Sequence, residues 1–349
     1  MHEAIATLLD QRADVDREAW RSLWDRLDGG GLDRAEATAL LASLATRLPR
    51  HETLRDLVAS LRERRPEATE RWPGSVNIVG TGGGPRTFNI STASAFVAAA
   101  MGVRVVKTGS RAYTSSVGSI DLLERLGVGL TTSHTHTGET LDLFGIAFAG
   151  HFVYPVPLIR LARAIAPIGM RPFGRFLNAL GPFLAVLPVT AQVTGVSQNA
   201  PLPELRRLAE TITDRRVWLC ANDAGADELL SFADNVIYAN DGSGETRLPS
   251  GTLTGADGTL DDLLPAGDPG SVVGHFLDVV SGTVNDVATR TVCLNAASLA
   301  VAAGHMSDWH SAITAAEEAM RGGAARALVE SMRVRRHRPG TLTGAVTHG

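Results

Sequence analysis

The apolar positions of this chain form one clear strand–helix–strand pattern. Val76–Val79 is a short β-branched run that stops at a glycine, and Val103–Val106 is a second run of the same kind. Between them the alanine-rich stretch Ala93–Met101 predicts a helix that Ser91 or Thr92 can cap. Because a crossover of this kind is right-handed and makes its strands parallel, the carboxyl ends of both strands should lie side by side.

The two segments that follow these strands predict an anion site. Four of the five residues Gly80–Gly84 are glycines, whose backbone N–H groups can close on an anion without interference from side chains. Asn89 adds a polar side chain where a helix dipole favours phosphate, and Lys107–Arg111 brings positive charge to the same edge. Lys107 is the only lysine among the 33 Lys and Arg residues, which suggests that a compact ammonium is needed there. The glycines alone leave the ligand open, since Pro85 breaks both the dinucleotide fingerprint and the P-loop pattern.

Residues 1–72 predict a small helical domain that ends in a linker. Asp33 is the expected cap of its third helix, and Trp72–Ser75, which contains Pro-Gly, is the expected linker. Apolar residues recur at helical spacing in four segments: Ala4–Leu9, Trp20–Leu27, Ala35–Leu48 and Leu54–Leu61.

The rest of the chain predicts a larger α/β domain with a mainly parallel central sheet. Residues 241–270 should be mostly loop, residues 272–332 two or three helices, and residues 334–349 a disordered tail. The other predicted elements are strands at Ile146–Ala149, Gln192–Val196 and Val217–Cys220, and a helix at Ser119–Leu126 capped by Ser119.

Two groups of side chains could bind metal. Asp223, Asp227 and Glu228 follow a predicted strand and should therefore lie at the same sheet edge as the glycines. Adjacent carboxylates suit Mg²⁺ beside phosphate oxygens, although acids are equally favoured in the first turn of a helix. His134 and His136 form a His-x-His pair, but two ligands do not make a metal site, so a polar loop is the favoured interpretation.

Composition excludes several classes of protein. Apolar residues make up 44% of the chain and charged residues 20%, a globular balance. The net charge of -4 argues against a protein that binds a phosphate backbone. Cys220 and Cys293 form no CxxC pair, the first residues show no signal-peptide pattern, and no apolar run approaches a membrane span. We therefore expect a cytoplasmic protein that binds neither nucleic acid nor membrane.

The motifs in this order resemble those of the anthranilate phosphoribosyltransferases. The run GTGG…TFNISTASAF…KTGSR corresponds to family segments that usually read GTGGDG, NIST and KHGNR. Asn178–Pro182, Ala221–Glu228 and Leu294–Gly304 are similar to later family motifs. The resemblance implies the nucleoside phosphorylase/phosphoribosyltransferase class fold, with helices from about 155–182 completing the 1–72 domain and 73–154 and 183–349 forming the catalytic domain. It also implies a homodimer through the helical domain.

The resemblance further implies the reaction and its residues. The donor would be phosphoribosyl diphosphate, the acceptor an aromatic amine or acid, and the metal Mg²⁺ held by Ser91, Asp227 and Glu228. Lys107 and Arg111 would be catalytic. The positions that correspond to donor contacts are Gly80, Gly82, Gly83, Gly84, Thr87, Asn89, Ser91, Thr92, Lys107, Ser115 and Ser119. The positions that correspond to acceptor contacts are Gly80, Thr108, Ser110 and either Arg171 or Arg175.

Departures from the family pattern concentrate in the acceptor half. Gly84 replaces an aspartate in a loop one residue shorter than usual, which should alter how a second Mg²⁺ is held. Thr108 and Ser110 replace a histidine and an asparagine, and Gly169–Asn178 is rebuilt around two arginines, either of which could hold a carboxylate. We therefore expect phosphoribosyl transfer to anthranilate or an analogue. The alternatives are a nucleoside phosphorylase-like enzyme and a non-catalytic nucleic-acid-binding relative.

Overall fold

A seven-stranded sheet forms the centre of the computed structural model, which describes residues 1–65, 71–109, 118–265, 267–268 and 270–336. The strand order is β3-β2-β1-β4-β5-β6-β7; the pairs from β3 to β5 are parallel, and β6 and β7 are antiparallel additions. The strands are β1 Trp72–Gly80, β2 Arg104–Lys107, β3 Ile146–Phe148, β4 Val189–Gly195, β5 Arg216–Asn222, β6 Asn235–Ala239 and β7 Glu245–Leu248. The predicted α/β class with a mainly parallel sheet is confirmed.

Helices cover both faces of this sheet. Within the described ranges none of them combines the length and apolarity that a membrane crossing needs. They are α1 Glu3–Asp10, α2 Arg17–Asp28, α3 Arg34–Thr46, α4 His51–Arg62, α5 Ile90–Ala100, α6 Ser119–Leu126, α7 His134–Phe144, α8 Val156–Ala164, α9 Gly174–Leu184, α10 Leu202–Glu210, α11 Val272–Val280, α12 Asp286–Ala302, α13 Trp309–Arg321 and α14 Ala324–Arg336.

Two apolar clusters, one on each side of the sheet, hold these layers together. One contains α5, α12 and α13, where Phe96 and Val292 are fully buried. The other joins α1–α4 to α8 and α9 and includes the stacked pair Trp20 and Trp24. Burial of each such large side chain contributes about 1.5–3 kcal/mol to folding. The second cluster continues onto β5 through Val217, so the division into a 1–72 plus 155–182 domain and a catalytic domain stays a prediction.

The central strand–helix–strand unit forms as predicted. Strands β1 and β2 pair in parallel, with Val76 opposite Val105. The capping prediction is wrong: α5 begins at Ile90, after Asn89, because Ile90 is fully buried and lies in the first turn of the helix. In the N-terminal helices Asp33 caps α3 as predicted, since its Oδ1 accepts the N–H of Glu36 at 2.8 Å.

The predicted linker is wrong, because Trp72–Ser75 is the first half of β1. Trp72 pairs with Val189 of β4 and is only 3% exposed. Its indole lies in a third apolar cluster with Val106, and the N–H of Gly74 donates to Thr190 Oγ1 at 2.8 Å. The apolar contact of the indole and the extra pairing with β4 outweigh the Pro-Gly stop signal.

Residues 241–270 are mostly loop, as predicted, and contain the short strand β7. Four other predictions of local structure are wrong. The region predicted to hold two or three helices holds four, and the tail predicted to be disordered from residue 334 is helical as far as Arg336; residues 337–349 lie outside the described ranges. The predicted cap of α6, Ser119, is its first helical residue, after Gly118. His134 and His136 lie in the first turn of α7 rather than in a loop, because the Ser133 side chain accepts the N–H of His136 at 3.1 Å.

Candidate active site

The carboxyl ends of the parallel strands meet at one edge, where they enclose a cavity of about 280 Å³. At this edge Gly80 of β1 lies opposite Gly195 of β4, which in turn lies opposite Cys220 of β5. Most of the predicted site residues line the cavity: Gly80, Gly82, Gly83, Gly84, Thr87, Asn89, Ser91, Lys107, Thr108, Ser119, Asp227 and Glu228. The strand topology therefore brings together residues that are far apart in the sequence.

The glycine loop, Gly80–Gly84, lines this cavity with its backbone. Gly82 and Gly83 have φ of 61° and 77°, the left-handed region that favours glycine. Their carbonyl groups are held from behind: Ser197 Oγ donates to Gly82 at 2.7 Å and Asn199 Nδ2 donates to Gly83 at 2.5 Å. Among the described residues, no hydrogen bond uses the N–H groups of Gly83 and Gly84. Such an array of N–H groups suits an anion.

Lys107 lies beneath the glycine loop and is only 4% exposed. Its Nζ donates to the carbonyl of Ile78 and to Ser91 Oγ, both at 3.2 Å. Burial lowers the pKa of Lys107 to about 8, although the charges of Glu228 and Asp227 raise it in part. This lysine therefore ties β2 to β1 and to the start of α5, and it is the counter-charge of the two acids.

Asp227 and Glu228 form an acidic pair on the opposite wall. Asp227 Oδ2 accepts the N–H of Gly82 at 2.7 Å, which joins the acids to the glycine loop. Burial raises the pKa of Asp227, and this hydrogen bond works against the rise. The pKa of Glu228 is raised well above its usual range, first by burial and then by the charge of Asp227. Perturbed carboxyl groups of this kind are typical of functional sites.

This oxygen-rich wall fits Mg²⁺. Glu228 Oε2 is buried and has no hydrogen-bond partner, as expected of an atom that a cation would satisfy. Two carboxylates and the Ser91 hydroxyl are hard oxygen donors, and Mg²⁺ usually takes one or two carboxylates beside substrate phosphates. In the described ranges no group of three or more His, Cys, Asp or Glu side chains could hold a metal alone. Asp223 does not line the cavity: it is exposed, and its Oδ1 accepts the N–H of Asp234 at 3.2 Å.

The predicted acceptor side divides between two cavities. Thr108 lines the first cavity but is 1% exposed, and its N–H donates to Asn77 Oδ1 at 3.2 Å. A second cavity of about 670 Å³ shares Gly82, Gly83 and Asn178 with the first, and Arg175 lines it. Arg171 is exposed and lines neither cavity. Arg175 is therefore the better placed of the two candidate arginines.

One predicted donor residue does not line the cavity, and three predicted site residues lie outside the part of the chain that the structure describes. Thr92 is fully buried within α5, its Oγ1 has no hydrogen-bond partner, and it does not line the cavity. Thr92 directly follows Ser91 in α5 but lies on the buried side of the helix, so its side chain does not reach the cavity. Ser110, Arg111 and Ser115 lie outside the described residues.

Sequence reasoning missed several residues that hold or line the site. Ser197 and Asn199 follow β4, whose carboxyl end meets the same edge, so the topological rule could have identified them once β4 was placed. Asn178 stands in the sequence analysis only as part of a motif, but it lines the cavity, and its Nδ2 would lie 2.8 Å from a Cβ at Gly82. Arg86 also lines the cavity, and its only signal was its position after the glycines.

Comparison with known proteins identifies the family. Residues 73–326 match the model described as "Glycosyl transferase family, a/b domain". The anthranilate phosphoribosyltransferase of Methylorubrum extorquens is 33% identical over 329 residues, which cover 90% of this chain and 92% of that protein. The corresponding protein of Syntrophobacter fumaroxidans is 31% identical, with 92% and 95% covered.

Solved structures agree with these matches. The crystal structure of anthranilate phosphoribosyltransferase from Thermus thermophilus is 28% identical with a TM-score of 0.78, and covers 97% of this chain and 100% of its own. The Saccharomyces cerevisiae anthranilate phosphoribosyltransferase, solved in complex with PRPP and Mg, has a TM-score of 0.72 and a sequence identity of 19%, and the match covers 92% of each chain. At this identity the match shows the fold alone. The predicted family is confirmed: the chain belongs to the anthranilate phosphoribosyltransferases, a family of pentosyltransferase enzymes.

Proposed function

We propose that this chain transfers the 5-phosphoribosyl group of phosphoribosyl diphosphate (PRPP) to an aromatic amine or acid, anthranilate or an analogue of it, and releases diphosphate. The observation that carries this proposal is one cavity that joins the glycine loop to Lys107 and to the pair Asp227 and Glu228. Free N–H groups and a buried ammonium suit the diphosphate of the donor, and the acids suit its metal.

The residues would act by alignment and by charge. The transition state of this displacement has oxocarbenium character, and negative charge grows on the leaving diphosphate. The N–H groups of Gly83 and Gly84 and the buried ammonium of Lys107 would stabilise that charge. Asp227, Glu228 and Ser91 would hold Mg²⁺, which supplies further neutralisation of the diphosphate when bound.

Removal of Arg175 is expected to affect the acceptor and spare the donor. Arg175→Ala should raise the KM for anthranilate by about ten- to a hundredfold, because a guanidinium bonded to a carboxylate is a strong contact. The KM for PRPP should change little, since Arg175 lines the second cavity only. Arg171→Ala is the matched control and should leave both constants near those of the wild type. Equal losses in the two variants would contradict this assignment.

The pH dependence of donor binding should follow Lys107. As pH rises through about 8, the ammonium loses its proton and PRPP affinity should fall. The free energy of unfolding should change in the opposite direction. The pKa of Lys107 is lower in the folded protein than in the unfolded chain, so burial of the charged form destabilises the fold below about pH 8. Stability should then rise as the pH increases from about 8 towards 10.5. Calorimetry and thermal melting from pH 7 to 10, with Lys107→Met as the reference, measure both slopes. Parallel slopes in the two proteins would contradict the prediction.

Steady-state assays with PRPP and anthranilate test the proposed function. The expected result is Mg²⁺-dependent formation of one diphosphate per phosphoribosyl group transferred; a panel of substituted anthranilates then ranks the acceptors. Cleavage of a nucleoside by phosphate without diphosphate would favour the phosphorylase-like alternative. Binding of single-stranded DNA without any turnover would favour the non-catalytic alternative.

Three further expectations remain predictions. The homodimer through the helical domain, the cytoplasmic location, and the absence of nucleic-acid and membrane partners all depend on the resemblance or on composition. Analytical ultracentrifugation of the full chain would test the first of them directly.

A further inference from the structure

We infer that Arg86 is an additional binding residue for the diphosphate of the donor and gives this site an anion contact that does not depend on Mg²⁺. The inference deepens the proposed function and rests on it. Arg86 follows the glycine loop directly and lines the same cavity as Gly83, Lys107 and Asp227.

Arg86 differs from Lys107, the other cation that lines the cavity among the described residues, in being available to a ligand. Lys107 is buried and already donates to two protein oxygens. Arg86 is exposed, and among the described residues its guanidinium forms no ion pair or hydrogen bond. The loop that precedes it, from Gly80 to Pro85, contains no acidic residue that could neutralise it. A free guanidinium at the mouth of an anion site is therefore available to the ligand.

Of the two phosphate-bearing ends of PRPP, the diphosphate is the one that Arg86 would bind. A planar guanidinium binds phosphate oxygens in bidentate fashion and keeps its charge over the whole working pH range. The diphosphate carries more charge than the single phosphate at the other end of the sugar, and it belongs at the glycine loop, where the free N–H groups of Gly83 and Gly84 lie. Arg86 is only two residues from Gly84 and can reach the same group.

The packing of the loop fixes the position of Arg86. A Cβ at Gly84 would lie 3.1 Å from the carbonyl oxygen of Gly225 and 3.3 Å from Ser197 Cβ, so the loop is pressed against its neighbours. Just beyond Arg86, the N–H of Phe88 donates to the carbonyl of Leu263 at 2.8 Å. The backbone of Arg86 is thus held on both sides, while its side chain is exposed.

Isothermal calorimetry with three probes tests this inference: PRPP, inorganic diphosphate and ribose 5-phosphate, each with Mg²⁺ and with a chelator. The proteins are the wild type, Arg86→Gln, Arg86→Lys, and Arg326→Gln as the control, since Arg326 is an exposed arginine on α14 that pairs with Glu330. Arg86→Gln should weaken the binding of PRPP and of diphosphate by about ten- to a hundredfold and leave the affinity for ribose 5-phosphate unchanged. This loss of affinity should be largest without Mg²⁺, and Arg86→Lys should bind both ligands more tightly than Arg86→Gln does.

Three results would overturn the inference. If Arg86→Gln binds PRPP and diphosphate as the wild type does, Arg86 makes no contact, while the proposed function stands. An equal loss of affinity for ribose 5-phosphate would mean that Arg86 does not act on the diphosphate in particular. If the wild type binds no PRPP under any condition, the proposed function fails and this inference fails with it. Melting temperatures should agree among the four proteins, because both arginines are exposed.

Discussion

Gly80→Ala is expected to lower kcat/KM for PRPP by about 10²–10³-fold. Gly80 ends β1, and a Cβ there would overlap Asp227 Oδ2. That oxygen accepts the N–H of Gly82, so one added methyl group would displace both the acidic wall and the glycine loop. Steady-state kinetics with varied PRPP measure the effect.

The matched control is Gly129→Ala. A Cβ at Gly129 meets no atom within 4 Å, so this variant should keep the kinetics of the wild type. A Gly80→Ala enzyme that retained kcat/KM within a few-fold would mean that the contact between Asp227 and the loop has no part in catalysis.

Lys107→Met is the second substitution with a large expected effect. It keeps the apolar part of the side chain but removes the ammonium that donates to the Ile78 carbonyl and to Ser91. It also leaves Asp227 and Glu228 without their cation, which further favours the protonated forms of both acids. PRPP affinity should fall by about a hundredfold, and Mg²⁺ should be needed at higher concentration.

Calorimetry with PRPP and, separately, with Mg²⁺ alone measures these two changes. Lys107→Arg is the companion variant: it keeps the charge, but its planar fork does not fit a site that is 4% exposed, and it should recover only part of the affinity. Unchanged PRPP affinity in Lys107→Met would show that the ammonium serves the fold and not the ligand.

The central part of the site was predictable because its signals are local. The β-branched runs beside Gly80 and Lys107 define two strands, and the crossover rule for parallel strands then makes their ends neighbours. Asp227 follows β5, so the same rule places it at this edge. Each step needed only a pattern within a few residues and one topological rule.

Other features depend on contacts that no local pattern contains. The Pro-Gly after Trp72 predicted a linker, but the buried indole and the pairing with β4 extend β1 through it. Strand β7 lies in a Gly-rich segment and exists because β6 pairs with it. The choice between Arg171 and Arg175 required the position of α9 relative to the glycine loop.

The central claim is that this cavity binds PRPP with Mg²⁺, and titration of PRPP into the wild-type protein with and without Mg²⁺ tests it most directly. We predict saturable binding at one PRPP per chain that is strengthened by Mg²⁺. The absence of binding at millimolar PRPP with saturating Mg²⁺ would contradict the account.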